Sequence, residues 1–250
     1  MNPPKPEIPR VATRDEWLAA RTALLAREKE LTRASDALAA ARRQLPMVRV
    51  ERSYRFDGPD GPVTLEELFE GRRQLIVYHF MWHADRDEGC PGCSLLLDTI
   101  GDPVHLNAAN TTLAVVSRGP LDRLQAYWRR MGWTLPVYSS ARTDFNFDFQ
   151  ATIDVARGAT DYNFRDIRRD ASWGGYEGDL PGASVFLRDG GGIYHTYSTY
   201  ARGGESLMTL WSILDLTPLG RQEEAGVQSW VRHHDRYQHA AAPACCAAHA

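Results

Sequence analysis

The sequence predicts one α/β domain, in which helices cover both faces of a mostly parallel sheet and a long helix precedes the sheet. Residues 74–82 and 111–116 are apolar runs of strand length, typical of strands that are buried on both faces. A helical pattern follows each of these runs, so strands and helices alternate along the chain. Residues 13–45 carry a separate helical pattern, which places a long helix before the sheet.

The N-terminal helix is predicted to run from Thr13 to Leu45. Thr13 and Glu16 form a capping box, in which the hydroxyl and the carboxylate bind free backbone N–H groups. Large apolar residues recur every seven positions along this helix, namely Trp17, Leu24, Leu31, Leu38 and Leu45. Such a seam favours pairing with a second helix, including its own copy in a homodimer. Because Arg21 and Glu28 occupy other seam positions, packing on its own domain is the alternative.

The other elements follow in the order β-β-α-β-α-β-α-β, then an insertion, a hairpin and a closing helix. Helices are predicted at residues 64–69, 90–100, 121–131 and 206–214. Strands are predicted on both sides of a turn at 57–61 and at 135–139, 184–187 and 193–197. Phe145, Phe147 and Phe149 alternate with polar residues, which predicts an edge strand. The resulting organisation is a disordered N-terminus (1–12), a helix (13–46), a domain at 47–236 with a loop or insertion at 152–182, and a flexible tail (237–250).

Composition and charge exclude several classes of function. The 250 residues include 29 basic and 32 acidic side chains and have a formal net charge of −3, so no basic excess is present to bind nucleic acid. No apolar run reaches the roughly 18 residues of a transmembrane helix. The first residues lack the apolar core of a signal peptide, and four cysteines are too few for a secreted disulfide scaffold. We therefore expect a cytoplasmic protein without nucleic-acid or membrane partners.

Cys90 and Cys93 form a C-x-x-C motif between a buried strand and a helix. Cys90 stands at the helix start, where free N–H groups and the helix dipole stabilise a thiolate. Pro91 suits the first helical turn, and the spacing brings Cys93 close enough to attack a mixed disulfide formed at Cys90. The motif therefore predicts a redox site with Cys90 as the nucleophile and Cys93 as the resolving thiol.

Four further side chains are candidates for this site. His195, Tyr197 and Arg202 lie on or after the predicted hairpin and could line the pocket, where His195 would donate or accept a proton. His83 precedes the C-x-x-C and would favour the thiolate of Cys90.

A metal site is the alternative interpretation of the cysteine pair. Copper or zinc would be held by cysteine and histidine side chains, drawn from Cys90, Cys93, His79, His83 and His195. In the redox interpretation no cofactor is expected. The tail holds another group of potential ligands, comprising His239, Cys245, Cys246 and His249.

Together these motifs resemble the thioredoxin-like superfamily, in its peroxiredoxin-like branch. More specifically, the chain resembles the bacterial family termed domain of unknown function 899, described as predicted dithiol-disulfide oxidoreductases. The stretches that carry the resemblance are 16–21 (EWLAAR), 74–81 (QLIVYHFM), 88–94 (EGCPGCS), 130–133 (RMGW), 144–149 (DFNFDF), 184–189 (SVFLRD) and 195–203 (HTYSTYARG). They span residues 13–236.

The resemblance implies a thioredoxin-like mixed sheet flanked by helices, with Cys90 and Cys93 as the redox pair. Thioredoxins place a cis-proline before the hairpin strand, facing the C-x-x-C; counting back from Phe186, this position falls on Ala183, and Pro181 stands two residues too early, so the sequence departs from the family pattern here. The expected function is that of a thiol-disulfide oxidoreductase. Its partners would be a thiol or disulfide substrate and a cellular reductant.

Overall fold

Residues 8–237 are described by a computed structural model, and they form six α-helices and fourteen β-strands. The helices are α1 (Arg14–Arg42), α2 (Pro91–Thr99), α3 (Val104–Ala108), α4 (Leu121–Met131), α5 (Phe145–Asp148) and α6 (Thr209–Leu214). The first eight strands are β1 (Val48–Arg49), β2 (Arg55–Gly58), β3 (Gly61–Thr64), β4 (Gln74–His79), β5 (Trp82–His83), β6 (Glu88–Gly89), β7 (Thr111–Ser117) and β8 (Val137–Ser139). The others are β9 (Thr152–Ile153), β10 (Asp161–Tyr162), β11 (Arg165–Asp166), β12 (Gly178–Asp179), β13 (Gly182–Asp189) and β14 (Gly192–Tyr200).

Among the described residues, eight strands form one mixed sheet in the order β1-β14-β13-β4-β7-β8-β2-β3. Only the β4–β7 and β7–β8 pairs are parallel. The mostly parallel sheet predicted from the residue pattern is therefore wrong, because the hairpins β2–β3 and β13–β14 add antiparallel strands on both flanks. The mixed sheet, its flanking helices and the long N-terminal helix confirm the predicted thioredoxin-like fold.

Two hydrophobic clusters lie on opposite faces of this sheet. One lies under α2 and α4 and includes Tyr78, Cys93 and Trp128. The other packs around Val77 and Phe145. Successive side chains of a strand point to opposite faces, so β4 sends Tyr78 towards the cysteines and its neighbours away from them.

Helix α1 begins as predicted and stays exposed. The Thr13–Glu16 capping box is present, and the backbone N–H of Thr13 donates to Glu16 Oε2 over 2.8 Å. No residue of α1 is buried, and Leu31 is 71% exposed. Within residues 8–237, this helix therefore does not pack along its own domain. The homodimer remains a prediction.

Two segments differ from their sequence patterns. Phe145 and Phe149 are not on an edge strand; they lie four positions apart at α5, and this helical spacing turns both rings into the core. The predicted insertion at 152–182 contains β9 to β12 and a small hydrophobic cluster around Tyr162 and Tyr200.

Membrane-spanning helices are not found within residues 8–237, where each helix is too short or too polar for that role.

Candidate active site

The link between β4 and α2 places Cys90 at the start of the helix. Strands β5 and β6 form a short antiparallel pair that returns the chain to the end of β4, and Cys90 N–H donates to Met81 O over 3.1 Å. Cys90 is the N-cap residue of α2 and Pro91 is its first residue. Cys90 is half-buried, whereas Cys93 is only 2% exposed, and both are free thiols.

The pKa values of the two cysteine thiols are shifted in opposite directions. The pKa of Cys90 falls to about 4, because its sulfur accepts a hydrogen bond from the Cys93 thiol. The His83 ring and the backbone N–H groups of Cys93 and Gly92 lower this pKa further, and together these groups outweigh the effect of burial. Burial, followed by the hydrogen bond to Cys90, raises the pKa of Cys93 well above its usual range. The pair therefore holds a thiolate at Cys90 and a proton at Cys93 near neutral pH.

Tyr78 lies beneath Cys93. Its hydroxyl is hydrogen-bonded to Cys93, and burial raises the pKa of Tyr78 well above 10, so this side chain stays protonated. A phenol in this position can donate to the Cys93 sulfur when that sulfur becomes a thiolate. Sequence analysis missed Tyr78 because it stands within an apolar strand run, without a local signal of function.

Asp179 of β12 lies near His83 and influences it electrostatically. The Asp179 carboxylate accepts from Thr152 Oγ1 over 2.8 Å and from the backbone N–H of Trp82, the residue before His83. Burial raises the pKa of Asp179, whereas Thr152, Arg118 and His83 act to lower it. A buried acidic group thus lies near the histidine that contacts Cys90.

A cavity of about 290 Å³ opens onto the cysteines. Its floor is formed by Tyr78, Cys90 and Cys93. Its walls are formed by the start of β13 and the residue before it, by the segment after β14 and by the C-terminal segment (residues 215–237). The lining residues of these walls include Pro181, Ala201, Arg202, Met208, Val227 and Gln228. Pro181 and Gly182 line the cavity beside the cysteines, whereas Ala183 is packed in the hydrophobic cluster that includes Cys93.

The C-terminal segment contacts residues 88 and 89, which come directly before Cys90. His233 is 1% exposed and its Nε2 lies 2.9 Å from the carbonyl oxygen of Gly89. Arg236 Nη2 donates to Glu88 Oε2 over 2.6 Å, and Glu88 precedes Cys90 by two residues. The partner of His233 in this contact is 144 positions away in sequence, so no local pattern indicates that its ring is buried.

The predicted site residues divide between the two faces of the sheet. Arg202 lines the cavity and His83 contacts Cys90. His195 lies on the opposite face, against Phe149 and Phe186, and Tyr197 lies under Arg42 at the end of α1. His195 and Tyr197 therefore do not join the cysteines.

The five proposed metal ligands are separated in the same way. His79 faces away from Tyr78 and the cysteines, and its Nε2 lies 2.9 Å from Ser184 Oγ. Burial, with a contribution from His195, lowers the pKa of His79 to about 3, so its ring is neutral. Within residues 8–237 no three His, Cys, Asp or Glu side chains form a group that could hold a metal ion. The tail candidates His239, Cys245, Cys246 and His249 lie outside the described residues.

The geometry defines the class of protein: a thioredoxin-fold protein with a C-x-x-C site at a helix N-terminus. The family described as "Bacterial protein of unknown function (DUF899)" matches residues 6–237, and the chain belongs to this family. Among proteins of curated function, none matches the sequence.

Solved structures similar to this chain include peroxiredoxins. Xanthomonas campestris peroxiredoxin Q is 12% identical, with a TM-score of 0.48, over 70% of this chain and 98% of that one. Peroxidoxin BcpB from Mycobacterium tuberculosis is 9% identical, with a TM-score of 0.46, over 66% of this chain and 94% of that one.

Proposed function

We propose that this protein is a thiol-disulfide oxidoreductase in which Cys90 is the nucleophile and Cys93 the resolving thiol. One observation carries the proposal: a cavity-facing cysteine at the α2 N-terminus accepts a hydrogen bond from a buried second thiol. Thiolates rather than thiols attack disulfides. A site with this division of protons is ready to react in the reduced state.

The reaction proceeds in two exchanges. The Cys90 thiolate attacks one sulfur of the substrate disulfide, whose S–S bond breaks, and the other half leaves as a thiolate that takes up a proton. Cys93 then loses its proton and attacks the Cys90 sulfur, which releases the second substrate thiol. Two electrons have passed to the substrate, and the protein is left with a Cys90–Cys93 disulfide. A cellular thiol reductant would restore the dithiol.

The neighbouring side chains assist these two steps. His83 stabilises the attacking thiolate of Cys90, and Asp179 influences His83 electrostatically. Tyr78 stabilises the thiolate that forms at Cys93 when it attacks. Arg202 lies at the mouth of the cavity.

A redox titration tests this function. The metal-stripped protein is equilibrated with mixtures of the reduced and oxidised forms of glutathione or of dithiothreitol, free thiols are alkylated, and the state of Cys90 and Cys93 is determined by mass spectrometry. We expect a reversible two-electron midpoint between about −120 and −270 mV, the range of known dithiol oxidoreductases. Failure to form the Cys90–Cys93 disulfide at any ratio, or full activity in Cys90→Ser, contradicts the proposal.

A further inference from the structure

The cavity above Cys90 is small and has fixed walls. Pockets that hold drug-sized ligands measure about 300 to 1,000 Å³, so a volume of about 290 Å³ is at the lower limit of that range. One wall is bound in place by the contact between His233 and Gly89 and by the ion pair between Arg236 and Glu88. The space at Cys90 therefore suits a small molecule.

Two wall residues have unusual backbone conformations. Ala201 has a φ of 48° and Gln228 a φ of 58°, the left-handed region that residues other than glycine seldom adopt. Both lie against the cavity. Strain of this kind persists only where the surrounding structure enforces it, and it concentrates at binding sites.

The Gln228 side chain is packed over the start of α2. A Cβ atom on Gly92 would overlap the Gln228 amide oxygen, so the glycine between the two cysteines allows this close approach. The C-terminal segment consequently partly covers the C-x-x-C turn, the part of the site that a folded protein would have to reach.

The lining is predominantly apolar. Leu96, Pro181, Ala201, Leu207, Met208 and Val227 contribute most of the side chains above the cysteines. The charged residues at the rim are already paired: Glu205 accepts from Arg202 and from Arg221, each over 2.9 Å. A charged substrate would have to break these pairs, whereas an uncharged apolar one gains contacts with the walls.

We propose that the substrate is a small, uncharged disulfide with apolar substituents, and that disulfides of folded proteins are excluded. This inference rests on the proposed function and adds the substrate class. One half of the molecule occupies the cavity while the Cys90 thiolate attacks the adjacent sulfur. The other half leaves as a thiolate that takes up a proton, and attack by Cys93 frees the half in the cavity.

Single-turnover kinetics with the full-length reduced protein test the inference. Dipropyl disulfide, oxidised glutathione and insulin are each mixed with the protein, the reaction is stopped by alkylation, and formation of the Cys90–Cys93 disulfide is measured by mass. Each rate constant is divided by that of free dithiothreitol with the same disulfide, which removes intrinsic reactivity. We expect this ratio to be about tenfold or more higher for dipropyl disulfide than for the other two, as differences in pocket contacts produce.

A variant that fills the cavity tests the inference further, with a matched variant outside the cavity as control. Val227 lines the cavity and is 66% exposed, and Val104 on α3 is 52% exposed and lies outside it. We expect Val227→Trp to reduce the rate with dipropyl disulfide about tenfold, and Val104→Trp to leave it unchanged. As a second variant, Leu207→Ala enlarges the cavity and should raise the relative rate with dibenzyl disulfide.

The outcomes separate the two proposals. The substrate class is overturned if the normalised rate with insulin or oxidised glutathione equals or exceeds the rate with dipropyl disulfide. It is also overturned if the two tryptophan variants react at equal rates. Both results leave the oxidoreductase function intact. If glutathione redox buffers fail to produce the Cys90–Cys93 disulfide at equilibrium at every ratio of oxidised to reduced glutathione, the oxidoreductase function fails and the substrate class fails with it.

Discussion

His233 donates through its Nε2 to the carbonyl oxygen of Gly89 over 2.9 Å, which joins the C-terminal segment to the residue before Cys90. The ring is buried, and its Nδ1 lies 3.8 Å from Glu88 Oε2. Together with the ion pair between Arg236 and Glu88, this contact connects the wall of the cavity to the loop that carries Cys90.

We predict that His233→Ala destabilises the protein by about 1–3 kcal/mol, because it leaves the buried Gly89 carbonyl without its donor. The free energy of unfolding by urea measures this change. The neighbouring His234 is the control: its side chain is 42% exposed, so His234→Ala should have a much smaller effect. Equal destabilisation by the two variants would show that the Gly89 contact is not what stabilises this segment.

The alkylation of Cys90 should depend on pH with a midpoint of about 4. Since the pKa of Cys90 is lowered to about 4, the reactive thiolate is present above that pH and is lost as the pH falls through it. Iodoacetamide modification at a series of pH values, read by mass, measures this midpoint in a Cys93→Ala background and in the native protein.

Two variants show which neighbour contributes more to the low pKa of Cys90. Cys93→Ala should raise the midpoint most, since the Cys93 hydrogen bond is the largest cause of the low pKa, and His83→Gln should raise it less. Asp122→Asn, which changes an exposed carboxylate on α4, is the control and should leave the midpoint unchanged. A midpoint near the ordinary thiol value of about 8.5 in the native protein would contradict the assignment of Cys90 as a thiolate.

Tyr78→Phe should slow the second exchange and leave the first unchanged. The variant keeps the ring in the core but removes the hydroxyl that is hydrogen-bonded to Cys93. A mixed disulfide at Cys90 should therefore accumulate during a single turnover, and intact-protein mass spectrometry detects it. Tyr138→Phe, which changes a tyrosine of the opposite cluster, should show no such accumulation. Equal kinetics of the Tyr78 and Tyr138 variants would remove Tyr78 from the mechanism.

Helix α1 is predicted to join two copies of the chain. Its stripe of large apolar residues is 47% to 71% exposed, and Asp15 in the first turn and Arg42 in the last would meet in an antiparallel pair. Light scattering should give the mass of a dimer, and Leu31→Asp should give a monomer with unchanged thermal stability. Asp36→Ala, a change on the same helix outside the apolar stripe, serves as control. A native monomer at micromolar concentration contradicts the prediction.

Local signals predicted the helix starts and the position of the nucleophile. The capping box at Thr13, the end of α4 before Gly132 and the placement of Cys90 ahead of Pro91 depend on neighbours within four residues. Hydrogen bonding and conformational preference act at that range, so the sequence displays them directly.

The cavity and the separation of His195 from Tyr197 depend on contacts that no local pattern contains. Gln228 meets Gly92 from a distant part of the sequence. In the hairpin, the pairing shifts so that His195 pairs with Phe186 and Tyr197 with Val185. Regular alternation would put His195 and Tyr197 on one face, whereas neighbouring residues such as Val185 and Phe186 point to opposite faces.

The division of the site between two parts of the chain has an evolutionary consequence. The reactive sulfurs belong to the strand–turn–helix unit at residues 74–99, whereas much of the cavity wall belongs to residues 201–208 and 227–228. Mutations in these later segments can alter which molecule is accepted while the acidity of the nucleophile is preserved. New specificities can thus arise on an unchanged reaction centre, by small steps in a part of the chain that performs no chemistry.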